Sequence, residues 1–200
     1  SPIPKEQAKK RLEIPDDAVT LLFGAIDGAE KRKGFAELTG AMKTCRENEA
    51  FQALLRKNQV RLLCFGSPND QLESMGIPVV SLGRLGSDED IRDAYSAADL
   101  FLLPSLEDNL PNTILESMSC GTPVVAFDVG GVPDMVTAGV NGLLVKAFDT
   151  QKMGEAIVSL AVDPEKRSAM GKACRERVTN DYALDVQAGN YLKLYGDLLH

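Results

Sequence analysis

The feature that most constrains this chain is a succession of short, almost wholly apolar runs separated by helical patterns. The runs fall at 18–26, 60–66, 77–83, 99–105, 122–129 and 142–148, each dense in Val, Leu, Ile or Phe with little polar alternation. Strands buried on both faces read this way, because neither face has water to meet. Helical spacing fills 35–56, 88–98, 111–120 and 132–138 between them. Strand and helix in alternation imply a parallel sheet covered on both sides, and right-handed crossovers make it an α/β, doubly wound, Rossmann-like sheet of about six strands. The segments 150–162, 164–181 and 183–200 then read as three closing helices with no strand between them. A short charged helix over 4–12 precedes the first strand.

Two hundred residues suffice for a core without staples, so residues 1–200 are expected to form one domain. Lys plus Arg number 22 and Asp plus Glu 29, giving a net charge of −7, which argues against a nucleic-acid partner. No apolar run approaches a membrane span, and no signal peptide opens the sequence. The one histidine, His200, is the last residue, which excludes an internal Ser-His-Asp triad, a Cys-His dyad and a His-based metal site. Cys45, Cys64, Cys120 and Cys174 form no CxxC pair and read as reduced packing residues of a cytoplasmic protein.

In an open parallel sheet, ligands bind outside the carboxyl ends of the strands. The loop there after the first strand begins at Gly24 and carries Lys31, Arg32 and Lys33 in succession, just before a helix expected to start near Gly34. Cations beside a helix N-terminus make an anion site, and a solvated basic turn is the alternative. Neither G-x-x-x-x-G-K-[ST] nor G-x-G-x-x-G occurs there, which disfavours a P-loop NTPase and a standard NAD-binding domain. The loop after the fourth strand reads Glu107, Asp108, Asn109, Leu110, Pro111. Pro111 suits a first helical residue, leaving the N–H groups of Asn112 and Thr113 free to meet phosphate or sugar oxygens. Glu116 shares their helix face, and a partly buried carboxylate there needs a partner. A vicinal diol such as ribose O2 and O3 supplies two donors; backbone or water would serve otherwise. Asp88, Glu89 and Asp90 match the metal-binding D-x-D pattern, but Ser87 three residues before Asp90 reads as a helix cap with an acidic first turn.

The stretch GSDEDIRDAYSAADLFLLPSLEDNLPNTILESMSCGTPVVAFDVGGVPDMVTAGVNGLLV resembles the C-terminal half of retaining, family-4 GT-B glycosyltransferases, and AEKRKGF resembles that family's basic diphosphate loop. The resemblance runs over nearly the whole chain, from about residue 18 to 200. It implies a nucleotide-diphospho-sugar donor, a hexose-type sugar transferred with retention of configuration, and no essential metal or other cofactor. Of the family's two acids separated by seven residues, the first contacts sugar hydroxyls and the second the ribose; Asp108 and Glu116 occupy these positions. Lys33 stands where the family has its diphosphate lysine. Ala25 stands at the arginine position, and Arg32 or Lys31 is the substitute. Leu110 and Pro111 replace the usual Phe-Gly, which removes one amide and leaves Asn109, Asn112 and Thr113 as donors. Base contacts are expected from 66–69 and 83–87, with Arg84 a candidate. The resemblance further implies an N-terminal acceptor-binding domain beyond these residues, a last helix that packs back toward it, and no transfer by this half alone. Peripheral membrane association of the longer enzyme stays open. Two other readings stand beside it: a non-catalytic nucleotide-binding or interaction module, favoured by Ala25, and half of a GT-B sugar-nucleotide epimerase.

Overall fold

A computed structural model describes residues 1–25, 31–66 and 70–198. Residues 26–30, 67–69 and 199–200 therefore lie outside the described residues, and with them the middle of the first loop and most of the first of the two proposed base loops, 66–69.

Six strands form one parallel sheet: β1 (Val19–Ala25), β2 (Val60–Gly66), β3 (Val79–Ser81), β4 (Leu100–Leu103), β5 (Val124–Asp128) and β6 (Gly142–Lys146). Their spatial order is β3-β2-β1-β4-β5-β6, the doubly wound arrangement with its switch point between β1 and β4. Helices α1 (Lys5–Arg11), α2 (Phe35–Glu47), α3 (Glu49–Arg56), α4 (Asp88–Ala97), α5 (Asn112–Ser119), α6 (Val132–Met135), α7 (Thr150–Ala161), α8 (Pro164–Arg177) and α9 (Leu184–Leu198) complete the described elements, with short 3-10 turns at Lys31–Lys33 and Asp70–Met75 and a π-turn at Val178–Tyr182.

Successive strand residues point to opposite faces, so each strand feeds two cores. Leu21, Phe23, Leu100 and Leu102 pack with Leu38 and Met42 of α2 and Ile157 of α7. Leu22, Phe101, Leu103 and Val124 pack with Tyr95 of α4, Ile114 of α5 and Cys174 of α8. This double burial is the reason the runs lack polar alternation. Residues 35–56 form two helices where the pattern predicts one. Asn48 takes an extended ψ of 129°, and its Oδ1 accepts from the N–H groups of Ala50 and Phe51, starting α3 afresh. β3 and α6 are shorter than the runs that contain them, β3 being an edge strand paired only with β2.

Asp99, buried at the amino end of β4, fastens the rear of the sheet. It accepts from Thr20 N–H at 2.9 Å and from Lys5 Nζ at 2.7 Å, with Lys9 Nζ at 3.2 Å and Arg167 Nε at 3.7 Å. The helix α9 buries none of its residues and exposes Leu184, Leu192 and Leu198. Among the described residues, no helix is long and apolar enough to cross a membrane.

Candidate functional site

The basic turn at Lys31–Lys33 is fixed by the loop that follows β4. Leu106 N–H donates to Arg32 O at 2.8 Å. Gly34 caps α2 in the left-handed region, at φ 71°, and a Cβ there would overlap Pro104 O. Only glycine brings the backbone this close with positive φ. The basic turn thus lies directly before the start of α2, which has no side-chain cap.

From this turn Lys33 Nζ reaches Asp108 Oδ2 at 3.2 Å, with side chains 23% and 14% exposed. Two residues 75 positions apart, expected separately at the diphosphate and the sugar, are thus in direct contact. Beside them a cavity of about 450 Å³ is lined by Arg32, Leu106, Glu107, Asp108, Asn109 and Gly130. The turn after β5 supports the floor of this loop. Gly130 has φ 51°, and a Cβ on it would overlap Asp108 O; one on Gly131 would overlap Asn109 O and crowd Leu110. The sequence marks both glycines as a turn; that they seat the Asp108 loop emerges only from the fold. Leu110 is more than half exposed at the rim.

Helix α5 starts one residue later than expected. Pro111 has ψ 119° and is the cap, not the first helical residue, and it supplies no capping side chain. The helix starts at Asn112, whose N–H and that of Thr113 have no acceptor within the helix. Asn112 and Glu116 line a second cavity, of about 570 Å³, with Asp88, Ile91, Arg92 and Tyr95 of α4. Thr113, half-buried, lines neither cavity. Glu116 is half-buried, and among the described residues no cation pairs with it. Its neighbour is Tyr95, a residue the sequence presents only as core; burial, followed by the Glu116 charge, pushes the Tyr95 phenol up.

Gly24 pairs with Phe65 across β1 and β2 and lies under the Phe65 ring, which accounts for it by packing. Gly66 N–H donates to Gly83 O at 2.7 Å, joining the two loops expected to contact the base; Arg84 is exposed. Asp90 belongs to a capping box: Ser87 Oγ accepts from Asp90 N–H at 3.1 Å, while Asp90 Oδ2 accepts from Ser87 N–H at 3.1 Å. All four cysteines are free; burial pushes Cys45, Cys64 and Cys174 up to about 12 and raises Cys120 as well.

Comparison with known proteins agrees with this architecture. Residues 19–163 match the family model described as glycosyl transferases group 1. The chain is 32% identical over 198 residues to the D-inositol 3-phosphate glycosyltransferase of Saccharomonospora viridis, covering 90% of this chain and 44% of that protein. The chain spans less than half the length of the curated relatives it matches. Sucrose-phosphate synthase from Thermosynechococcus elongatus superposes with a TM-score of 0.79 at 26% identity, over 99% of this chain and 50% of that one. Anabaena HepE, solved in complex with UDP and glucose, superposes with a TM-score of 0.76 at 21% identity, over 98% of this chain and 53% of its own, and shares the fold.

Proposed function

Since the chain belongs to the group 1 glycosyl transferase family, we propose that it is the nucleotide-diphospho-sugar-binding half of a GT-B glycosyltransferase that moves a hexose-type sugar to an acceptor with retention of configuration. The observation that carries this reading is the 3.2 Å approach of Lys33 to Asp108 beside a cavity at the carboxyl ends of the strands. A cation and a carboxylate side by side suit a ligand that is anionic at one point and hydroxylated at the next. Lys33, Arg32 and the open N–H groups of Asn112 and Thr113 face the diphosphate. Asp108 accepts from a sugar hydroxyl, with Asn109 and the Leu110 backbone at its side. Glu116 accepts from the ribose diol. Gly24 sits at the end of β1 where the ligand would run.

Breaking the glycosidic bond leaves charge on the departing diphosphate. Fixed cations and helix N–H groups that face that charge, without having to reorganise, lower the barrier. The acceptor comes from a second, N-terminal half. Support for this comes from the greater length of the relatives and from α9, whose exposed leucines suit a partner surface. This half alone binds donor and transfers nothing. Four free cysteines support a cytoplasmic setting. Ala25 in place of the expected arginine supports a second reading, a binding module without turnover.

Titration with UDP, GDP, ADP, CDP and dTDP tests the proposal. One or more should bind, and HepE's complex makes UDP the first choice. Lys33→Ala should weaken diphosphates more than nucleosides, and Glu116→Ala should weaken both. A folded chain that binds none of the five sinks the donor-site reading. Transfer after joining an N-terminal half separates enzyme from binding module.

A further inference from the structure

Tyr95 is fully buried, and among the described residues its Oη makes no hydrogen bond of ordinary geometry, although the Glu116 carboxylate stands within reach of it. Buried hydroxyls are rarely left so, because desolvation without a bond destabilises the fold. A phenylalanine would pack here without that cost, so the hydroxyl calls for an explanation outside packing. Two edge contacts fix where it points. The Tyr95 ring stands 6.0 Å from Phe65 at 67° and 5.4 Å from Phe101 at 71°. Aromatic pairs favour this edge geometry, and a ring held on both sides cannot swing its hydroxyl toward water. Tyr95 lines the cavity between α4 and α5 that also receives Glu116 and, one helical turn earlier, Asn112.

We propose that Tyr95 is a positioning residue for Glu116: with nucleotide bound, its phenol donates to one oxygen of the Glu116 carboxylate and turns the other toward the ribose diol. This rests on the reading of Glu116 as the ribose acceptor. The upward shift of the Tyr95 phenol, caused by burial, then by the Glu116 charge and by the nearness of its carboxylate as a hydrogen-bond acceptor, agrees with the two groups facing each other. A donor bond to an ionised acceptor is among the stronger ones, and it leaves the carboxylate one orientation in which to meet a diol. The arrangement makes Tyr95 a determinant of ribose over deoxyribose, while the diphosphate end stays with Lys33.

Calorimetry on the chain separates the possibilities. The probes are the tightest binder among UDP, GDP and ADP, its 2′-deoxy counterpart, and inorganic pyrophosphate. The unaltered chain should prefer the ribonucleotide by about tenfold or more. Tyr95→Phe should cut that preference to about threefold or less, leave pyrophosphate affinity within about twofold, and leave Tm unchanged or higher, since in the free chain the lost hydroxyl makes no hydrogen bond of ordinary geometry. Tyr95→Phe in a Glu116→Gln background should change the preference no further. A preference retained in Tyr95→Phe but lost in Glu116→Gln overturns the positioning role and leaves the ribose reading intact. A preference retained in Glu116→Gln overturns the ribose reading itself. A lowered Tm with unchanged preference assigns Tyr95 to packing and overturns the proposal, and binding of none of the probes overturns both.

Discussion

Asp108 holds Lys33 in the free chain and repels any anion that approaches it, and this yields a counterintuitive prediction for Asp108→Asn. In the free chain Lys33 Nζ lies 3.2 Å from Asp108 Oδ2. At an effective dielectric of about 20 their gross attraction is about 5 kcal/mol. Both side chains keep some solvent contact, 23% and 14%, and desolvation and side-chain ordering offset most of the gain. The net value of such a pair is about 1 kcal/mol. On the donor-site proposal, a diphosphate that draws Lys33 away from Asp108 forfeits that amount. The isosteric amide keeps the loop's shape and removes the competitor. Pyrophosphate, which has no sugar to lose, should bind Asp108→Asn about fivefold more tightly than the unaltered chain. The gain should shrink in 1 M salt, where screening acts over about 3 Å. Isothermal calorimetry with pyrophosphate at low and high salt measures it. Lys33→Ala should abolish the gain, because the released cation is its source. Unchanged or weaker pyrophosphate binding by Asp108→Asn would refute the competition argument and place the diphosphate away from Lys33.

Gly34→Ala should destabilise the fold by about 1–2 kcal/mol from its left-handed conformation and about 1–3 kcal/mol more from overlap with Pro104 O; urea denaturation that finds less than about 0.5 kcal/mol contradicts the packing described. For Asp99, burial pushes the carboxyl up, but the charges of Lys5 and Lys9 and the bonds from Lys5 and Thr20 N–H outweigh it, and the folded value is lowered. A lowered folded value means stability fully present above the unfolded value near 3.8 and lost as pH falls through the folded one. Asp99→Asn should therefore cost about 3–5 kcal/mol at neutral pH and flatten the acid limb of a Tm-against-pH curve. Thiol labelling of the native chain at pH 7 should be slow at Cys45, Cys64 and Cys174, whose pKa near 12 leaves little thiolate, and fast after unfolding; rapid native labelling at any of the three would contradict their burial.

Much of the architecture is legible in the sequence because double burial removes the polar alternation from Leu21–Phe23 and Leu100–Leu103 alike. What escapes reading are decisions made by single side chains or by distance. The break between α2 and α3 is set by one amide on Asn48, with helical spacing continuing on both sides. Pro111 suits a first helical residue or a cap equally well, and only its ψ of 119° decides. The family resemblance singles out Lys33 and Asp108 separately, but the contact between them depends on β1 and β4 being neighbours, a topological fact. The floor role of Gly130 and the buried hydroxyl of Tyr95 leave no local signature. A tyrosine on the inward face of a helix looks like any core aromatic until its oxygen is found without a hydrogen bond of ordinary geometry.

The cluster of cations around Asp99 sits at one end of β4, and Asp108 follows its other end. Foundation and workplace are therefore separate estates joined by a short rod of apolar residues. Changes in the loops at the far end leave the contacts around Asp99 untouched. Under the proposed function, exposed loop positions such as Asn109, Leu110 and Arg84 are where a sugar or base preference can be exchanged while the sheet is inherited intact.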